Sequence, residues 1–126
     1  MNYNQKIGEF GEKQAIKYLL KRGYIILAKN HREWFYEFDV VAKDPNGIIV
    51  FVEVKTKNIA KSNLKNYFSP EDNLTRAKII KLTKGIGIFI AKYPWIIDDR
   101  KGWQIDFIAL TIIDRRYLQI RHYENI

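Results

Sequence analysis

Apolar positions along the chain change period several times, and the changes predict the elements. Residues 3–22 carry Ala15, Ile16 and Leu19 at helical spacing and stop at Gly23, a usual end for a helix. Residues 24–28 form a short apolar run that reads as a buried strand. Residues 35–43 and 48–55 read as two further strands joined by Asp44-Pro45-Asn46-Gly47. Pro-Asn-Gly suits a type I turn followed by a left-handed glycine, the geometry of a three-residue hairpin loop. Residues 57–68 are polar and read as a loop. Ser69-Pro70-Glu71-Asp72 then opens a second helix, with Ser as cap, Pro at the first position and acids in the first turn. Ile79, Leu82, Ile86 and Ile90 continue it, while Gly85 and Gly87 weaken its latter half. Residues 103–111 and 117–122 read as closing strands around Asp114-Arg115-Arg116. The expected order is αβββαββ, an α/β fold with a mixed β-sheet flanked by helices. No repeat or Gly/Ser linker interrupts it, so residues 1–126 are expected to form one domain.

Composition narrows the chemistry. With 47% hydrophobic and 29% charged residues the chain is ordinary globular material rather than a disordered one. Its longest apolar runs are five residues, far below the roughly 20 that span a bilayer. No basic-then-apolar leader follows Met1, and a soluble cytoplasmic protein is expected. The absence of Cys removes disulfides, thiolate zinc sites and thiol nucleophiles. Two His and two Ser make a Ser-His-Asp hydrolase a poor match, and no phosphate-binding glycine loop is present. Carboxylates, lysines and a metal held by them are what remains. The balance of 22 basic against 14 acidic residues, net +8, favours an anionic partner, nucleic acid ahead of a membrane surface.

The hairpin sharpens this expectation. If Asp44 pairs with Ile48, Asp39 falls opposite Glu53 and Glu37 opposite Lys55. Alternation then puts these four on one face and Phe38, Val40, Val52 and Val54 on the other. Opposed like charges are destabilising, so two carboxylates facing each other need a reason. A divalent cation supplies one, through hard oxygen ligands and room for water and a phosphate. Lys55 would add a charge for the phosphate and the attacking water. A solvated polar face with ordinary cross-strand ion pairs is the competing reading of the same residues. On the first helix Glu9, Lys13, Lys17 and Lys21 form a solvated stripe at i, i+4 spacing. Glu12 instead sits amid Gly8, Ala15, Ile16 and Leu19, on the face that meets the sheet. There it must be paired, functional or reach water at the face's edge. Gly8 and Gly11 on that side imply close backbone approach.

Between Lys55 and Lys92 lie nine Lys or Arg against Glu71 and Asp72, seven of the eight net positive charges. Phosphate backbone held there would pass over the carboxylates. Arg32, Lys57, Lys78 and Lys81 are the expected nucleic-acid contacts. Trp34, Phe35, Tyr36, Tyr67 and Phe68 flank the region. Packing in a core or at a homodimer interface is their expected use, ahead of stacking on bases. His31 reads as a surface residue.

Taken together, Gly11-Glu12-x-x-Ala15-x-x-Tyr18-Leu19-x-x-x-Gly23-Tyr24, Asn30-x-Arg32, Glu37-Phe38-Asp39-Val40-Val41-Ala42 and Phe51-Val52-Glu53-Val54-Lys55 resemble the YraN-like family. Tyr67-Phe68-Ser69-Pro70, Lys78 and Ile105-Asp106-Phe107 extend the likeness over nearly the whole chain. The sequence departs from the family's usual pattern at Tyr36 and Ser69, where Gly is common, and at Gln104, where Arg is usual. The resemblance implies a restriction-endonuclease-like fold related to Holliday-junction resolvases and a PD-(D/E)-x-K site. By that likeness Asp39, Glu53 and the Val54 carbonyl hold Mg²⁺ or Mn²⁺, and Lys55 is the site's lysine. Glu12 is the helix carboxylate, with Glu37 beside it to hold a second metal or position Lys55. The implied activity is Mg²⁺-dependent cleavage of double-stranded or branched DNA, with no membrane partner. A nuclease-like fold that only binds nucleic acid is the alternative.

Overall fold

The computed structural model describes residues 1–63 and 68–126. Lys65 of the basic segment and Tyr67 of the family-like motif lie outside the described residues. Helix α1 (Tyr3–Lys21) begins at Asn2, whose side chain accepts from the Gln5 N–H while Gln5 answers with its own side chain. That reciprocal pair satisfies two of the N–H groups a helix start leaves orphaned. Strands β1 (Ile25–Glu33), β2 (Tyr36–Lys43) and β3 (Ile49–Ile59) follow, then helix α2 (Arg76–Lys92) and strands β4 (Trp103–Ile113) and β5 (Tyr117–Tyr123). The sheet order is β1-β2-β3-β4-β5. The β3/β4 pair is parallel, joined through α2, and the other neighbours are antiparallel.

The β2–β3 turn forms as its residues dictate. The Gly47 N–H donates to the Asp44 carbonyl at 2.9 Å, and Gly47 takes φ +88°, where a side chain would be strained. Asp44 pairs with Ile48, and the ladder continues through Lys43↔Ile49 to Val40↔Val52.

Each helix covers one face. Ala15 and Leu19 of α1 pack on Val40, Ala42, Val50, Val52, Val54, Ile108 and Leu110. Ile86 and Phe89 of α2 pack on Val41, Ile49, Phe51, Ile105 and also Phe38. Gly11 is what lets α1 sit this close, because a Cβ there would fall 1.7 Å from Thr56 Oγ1. Gly8 meets nothing within 4 Å, so only one of the two glycines serves close approach.

Several expectations are corrected. The run after Gly23 is an edge strand rather than a buried one, and it reaches Glu33. It has one neighbour, β2, so Ile25 and Leu27 remain 60% and 43% exposed. Ser69-Pro70-Glu71-Asp72 closes only a 3-10 turn (Pro70–Asn73), and α2 starts later, behind the Thr75 cap. The helix runs through Gly85 and Gly87, and Gly85 is where the Tyr36 ring lies against it. Strand β3 continues to Ile59 because β4 pairs with it along its full length, which puts Lys57 on a strand rather than in a loop. Phe38 packs on the α2 side although Val40 packs on the α1 side, so simple alternation fails around Asp39. Trp34, Phe35 and Phe68 are exposed rather than packed in a core, and Tyr36 is partly buried. His31 is half-buried, edge-on to Phe89 and Tyr93, and its Nε2 meets buried Glu33 at 2.8 Å.

Candidate functional site

The candidate site forms where β2 and β3 part. Their pairing ends at Val40↔Val52, and the next residues outward are Asp39 and Glu53. The Val54 N–H, past the last rung, donates to Asp39 Oδ2 at 2.8 Å. A side chain thus takes the place of a ladder partner, consistent with the demand that buried N–H groups be satisfied. Glu53 is nearly buried, and its Oε1 lies 2.8 Å from Lys78 Nζ on α2. Asp39, Glu53, Lys78 and Lys81 line one cleft of about 290 Å³, with Glu37 and the aromatic Phe35 and Tyr36 at its border.

The charges there are under-compensated. Removal from water, then the neighbouring Glu53 and Glu12 carboxylates, push the Asp39 carboxyl up to about 7, against the opposing pull of the Val54 N–H and Lys78. Glu12 is also raised, chiefly by burial and secondarily by Glu37, Glu53 and Glu9, with a hydrogen bond from Asn30 acting the other way. Asp39 Oδ1 and Glu53 Oε2 carry no hydrogen bond among the described residues. Two crowded carboxylates with an oxygen each to spare match the donor set of a hard divalent cation, and Asp39 and Glu53 would be its holders.

The remaining site residues are distributed around this cleft. Glu12 borders two neighbouring depressions, and Lys55 shares one of them with Glu12 and Val54 rather than the cleft with Asp39 and Glu53. The cation beside Glu53 is therefore Lys78, expected only as a backbone contact. The residues alone gave no reason to expect this, because Lys78 comes from a helix placed by the β3–α2–β4 crossover. Glu37 pairs with Arg32 of β1 at 3.3 Å instead of with Lys55, since the β2/β3 ladder has ended before it. Lys57 Nζ donates to the Phe68 carbonyl at 2.7 Å.

A second polar cluster lies away from the cleft. Asp106, His122 and Glu124 bring one ligand atom each within 4.8 Å of one another, close enough to hold a metal ion. Asp106 is fully buried: its Oδ1 accepts from Gln104 Nε2 at 2.8 Å and the Asn125 N–H at 2.9 Å, and its Oδ2 meets His122 Nε2 at 2.6 Å. His122 Nδ1 lies 3.2 Å from the Tyr18 hydroxyl. These hydrogen bonds already engage both Asp106 oxygens, so a metal there would have to displace protons. The sequence signal for the cluster was a lone carboxylate interrupting the apolar run at residues 105–110.

A five-stranded mixed sheet flanked by one helix on each face, with carboxylates gathered where two strands part, makes this an α/β protein whose architecture is compatible with a restriction-endonuclease-like fold. The chain belongs to the uncharacterised protein family UPF0102, the YraN-like group, whose model matches residues 11–110. It is 34% identical over 115 residues to a UPF0102 protein of Persephonella marina, covering 91% of this chain and 90% of the relative. It is 42% identical over 125 residues to one of Trichlorobacter lovleyi, covering 97% and 90%. A Clostridium botulinum relative is 44% identical over 93 residues, covering 73% and 71%. No described helix is long and apolar enough to cross a membrane.

Proposed function

We propose that the protein is a divalent-metal-dependent endonuclease that hydrolyses phosphodiester bonds in DNA. One observation carries this reading: Asp39 and Glu53, crowded carboxylates with an oxygen each to spare, share a single cleft with Lys78 and Lys81. Acidic and basic groups side by side are what a metal and a phosphate require together. Mg²⁺ or Mn²⁺, when bound, would polarise a phosphoryl oxygen and acidify a water. Asp39, Glu53 and the Val54 carbonyl are the proposed holders. Lys78, released from Glu53, contacts a non-bridging phosphate oxygen, and Lys81 a neighbouring phosphate. Lys55 and Glu12 flank the cleft from the adjoining depression, where Glu12 raises the negative field at Asp39. Arg32 and Lys57 lie further out as backbone contacts. The net charge of +8 favours the approach of a polyanion.

The second reading, a nuclease-like fold that binds nucleic acid without cutting it, draws on two features. Lys78 already neutralises Glu53, and Tyr36 occupies the cleft wall. Incubation of labelled duplex and four-way-junction DNA with Mg²⁺ or Mn²⁺ separates the two. Cleavage that is lost in EDTA and in both Asp39→Asn and Glu53→Gln supports the endonuclease. Binding without cleavage under every metal supports the alternative.

A further inference from the structure

The hairpin that joins β1 to β2 presents its two loop residues outward in an unusual way. Glu33 pairs with Tyr36, so the whole connection is Trp34-Phe35. Two-residue hairpin loops favour Gly, Asn or Asp, because at least one position needs positive φ. Here Trp34 holds φ +57° with a bulky aromatic side chain, a conformation that strains any residue with a Cβ. The rings gain no burial in return: Trp34 is 75% and Phe35 82% exposed, and neither has a ring partner among the described residues.

The base of the hairpin is firmly held. Glu33 is buried against His31 at 2.8 Å and Lys92 at 3.4 Å, and Tyr36 seats on Gly85 of α2. A rigid stem thus carries an exposed, strained pair of aromatics, and Phe35 borders the same cleft as Lys78 and Lys81. Flat apolar faces next to phosphate-binding cations match one ligand chemistry well, a nucleotide whose base is free to stack. A lipid surface fits less well, since the charged pair Arg32–Glu37 sits at the loop's flank.

We propose that Trp34 and Phe35 form a base-stacking subsite for an unpaired nucleobase beside the cleft. The substrate class would then be DNA with a gap, flap or branch rather than continuous duplex. This inference rests on the DNA reading of the cleft, and its test runs in EDTA so that no cleavage is needed. Two fluorescent duplexes of identical sequence are used, one fully paired and one with a single-nucleotide gap that leaves a 2-aminopurine unpaired. Wild-type protein should bind the gapped duplex about ten-fold more tightly by anisotropy and quench the 2-aminopurine, the scale of one aromatic–base stack. Trp34→Gly should lose both effects. Its thermal midpoint should hold or rise, because glycine relieves the positive φ. Phe35→Ala should lose the preference as well, and Trp34→Phe should keep it. Equal wild-type affinity for the two duplexes, or a preference that survives in Trp34→Gly, overturns the subsite while leaving DNA binding intact. Failure to bind either duplex overturns the DNA reading and the subsite together. If Trp34→Gly instead abolishes self-association or binding to anionic vesicles with DNA preference unchanged, the tip serves a second copy or a lipid and the proposal is wrong.

Discussion

Asp39→Asn isolates the electrostatic state of the cleft. Asparagine is nearly isosteric and keeps a carbonyl oxygen for the Val54 N–H, so neither cavity nor orphaned donor results. What it removes is a carboxyl whose proton affinity is raised from 3.8 to about 7 in the folded protein. The folded state therefore binds more protons than the unfolded chain between those values, and stability falls as pH rises through that window. The full cost above pH 7 is about 4 kcal/mol at 1.36 kcal/mol per pH unit. That cost is already net of the Val54 bond, which is as neutral to protonated Asp39 as to asparagine, so the variant should gain roughly 4 kcal/mol at pH 8. For 126 residues, at roughly 2.1 cal/mol/K of unfolding entropy each, that is roughly 15 °C in Tm. Thermal melts in EDTA from pH 4.5 to 8 measure it. The two proteins should differ by only about 1 kcal/mol near pH 4.5 and diverge further as pH rises, with Mg²⁺ recovering the difference for wild type alone. Parallel pH profiles would refute the crowding argument. A variant that melts lower at every pH would mark Asp39 as a structural residue.

Other perturbations test separate parts of the structure. Lys78→Ala should lower the salt slope of duplex binding by roughly one and slow any Mg²⁺-dependent cleavage at saturating DNA, because Lys78 touches Glu53; an unchanged slope by anisotropy would place DNA elsewhere. His122→Ala should cost roughly 3–5 kcal/mol in urea unfolding, since it strips a partner from the fully buried Asp106, and a loss below 1 kcal/mol would show that Gln104 and Asn125 suffice. Gly11→Ala should unfold the chain or lower its Tm by well over 10 °C, whereas Gly8→Ala should hold or gain stability, as nothing lies near its Cβ. Arg121→Met should remove the hydrogen bonds that hold Glu71 down at about 2. The stability that pair supplies is complete above pH 4.5 and vanishes as pH falls towards 2, so wild-type and variant urea midpoints should converge in acid.

How far the sequence could be read depended on whether local rules governed each residue. The Asp44–Gly47 turn and its register were legible because a left-handed glycine after Pro-Asn permits few alternatives. That register brought Asp39 near Glu53. The start of α2 was misplaced because Ser69-Pro70-Glu71-Asp72 satisfies every local rule for a helix cap while serving a 3-10 turn. What fixes that turn is non-local: Glu71 is bound by Arg121 and Tyr123 from β5, some fifty residues away. The exposure of the first strand was likewise invisible, since an apolar run does not say how many neighbours it will have.

The site residues divide along the same line. Glu53 announced itself by interrupting an apolar strand, but the cation facing it did not, because Lys78 is one of many lysines until a crossover sets it there. Lys55, chosen for its spacing from Glu53, shows the limit of period-2 reasoning. Alternation presumes that the ladder continues, and here it stops at Val40↔Val52. Beyond that rung Phe38 changes faces, Glu37 turns to Arg32, and Asp39 accepts from the Val54 N–H. The same break that defeats the pattern opens the cleft. A continued ladder would have spent the Val54 N–H on backbone pairing and left Asp39 as one more member of a cross-strand pair. The chemistry of the pocket therefore resides in where pairing ends, and lengthening the β2–β3 ladder would close it even with every carboxylate and lysine retained.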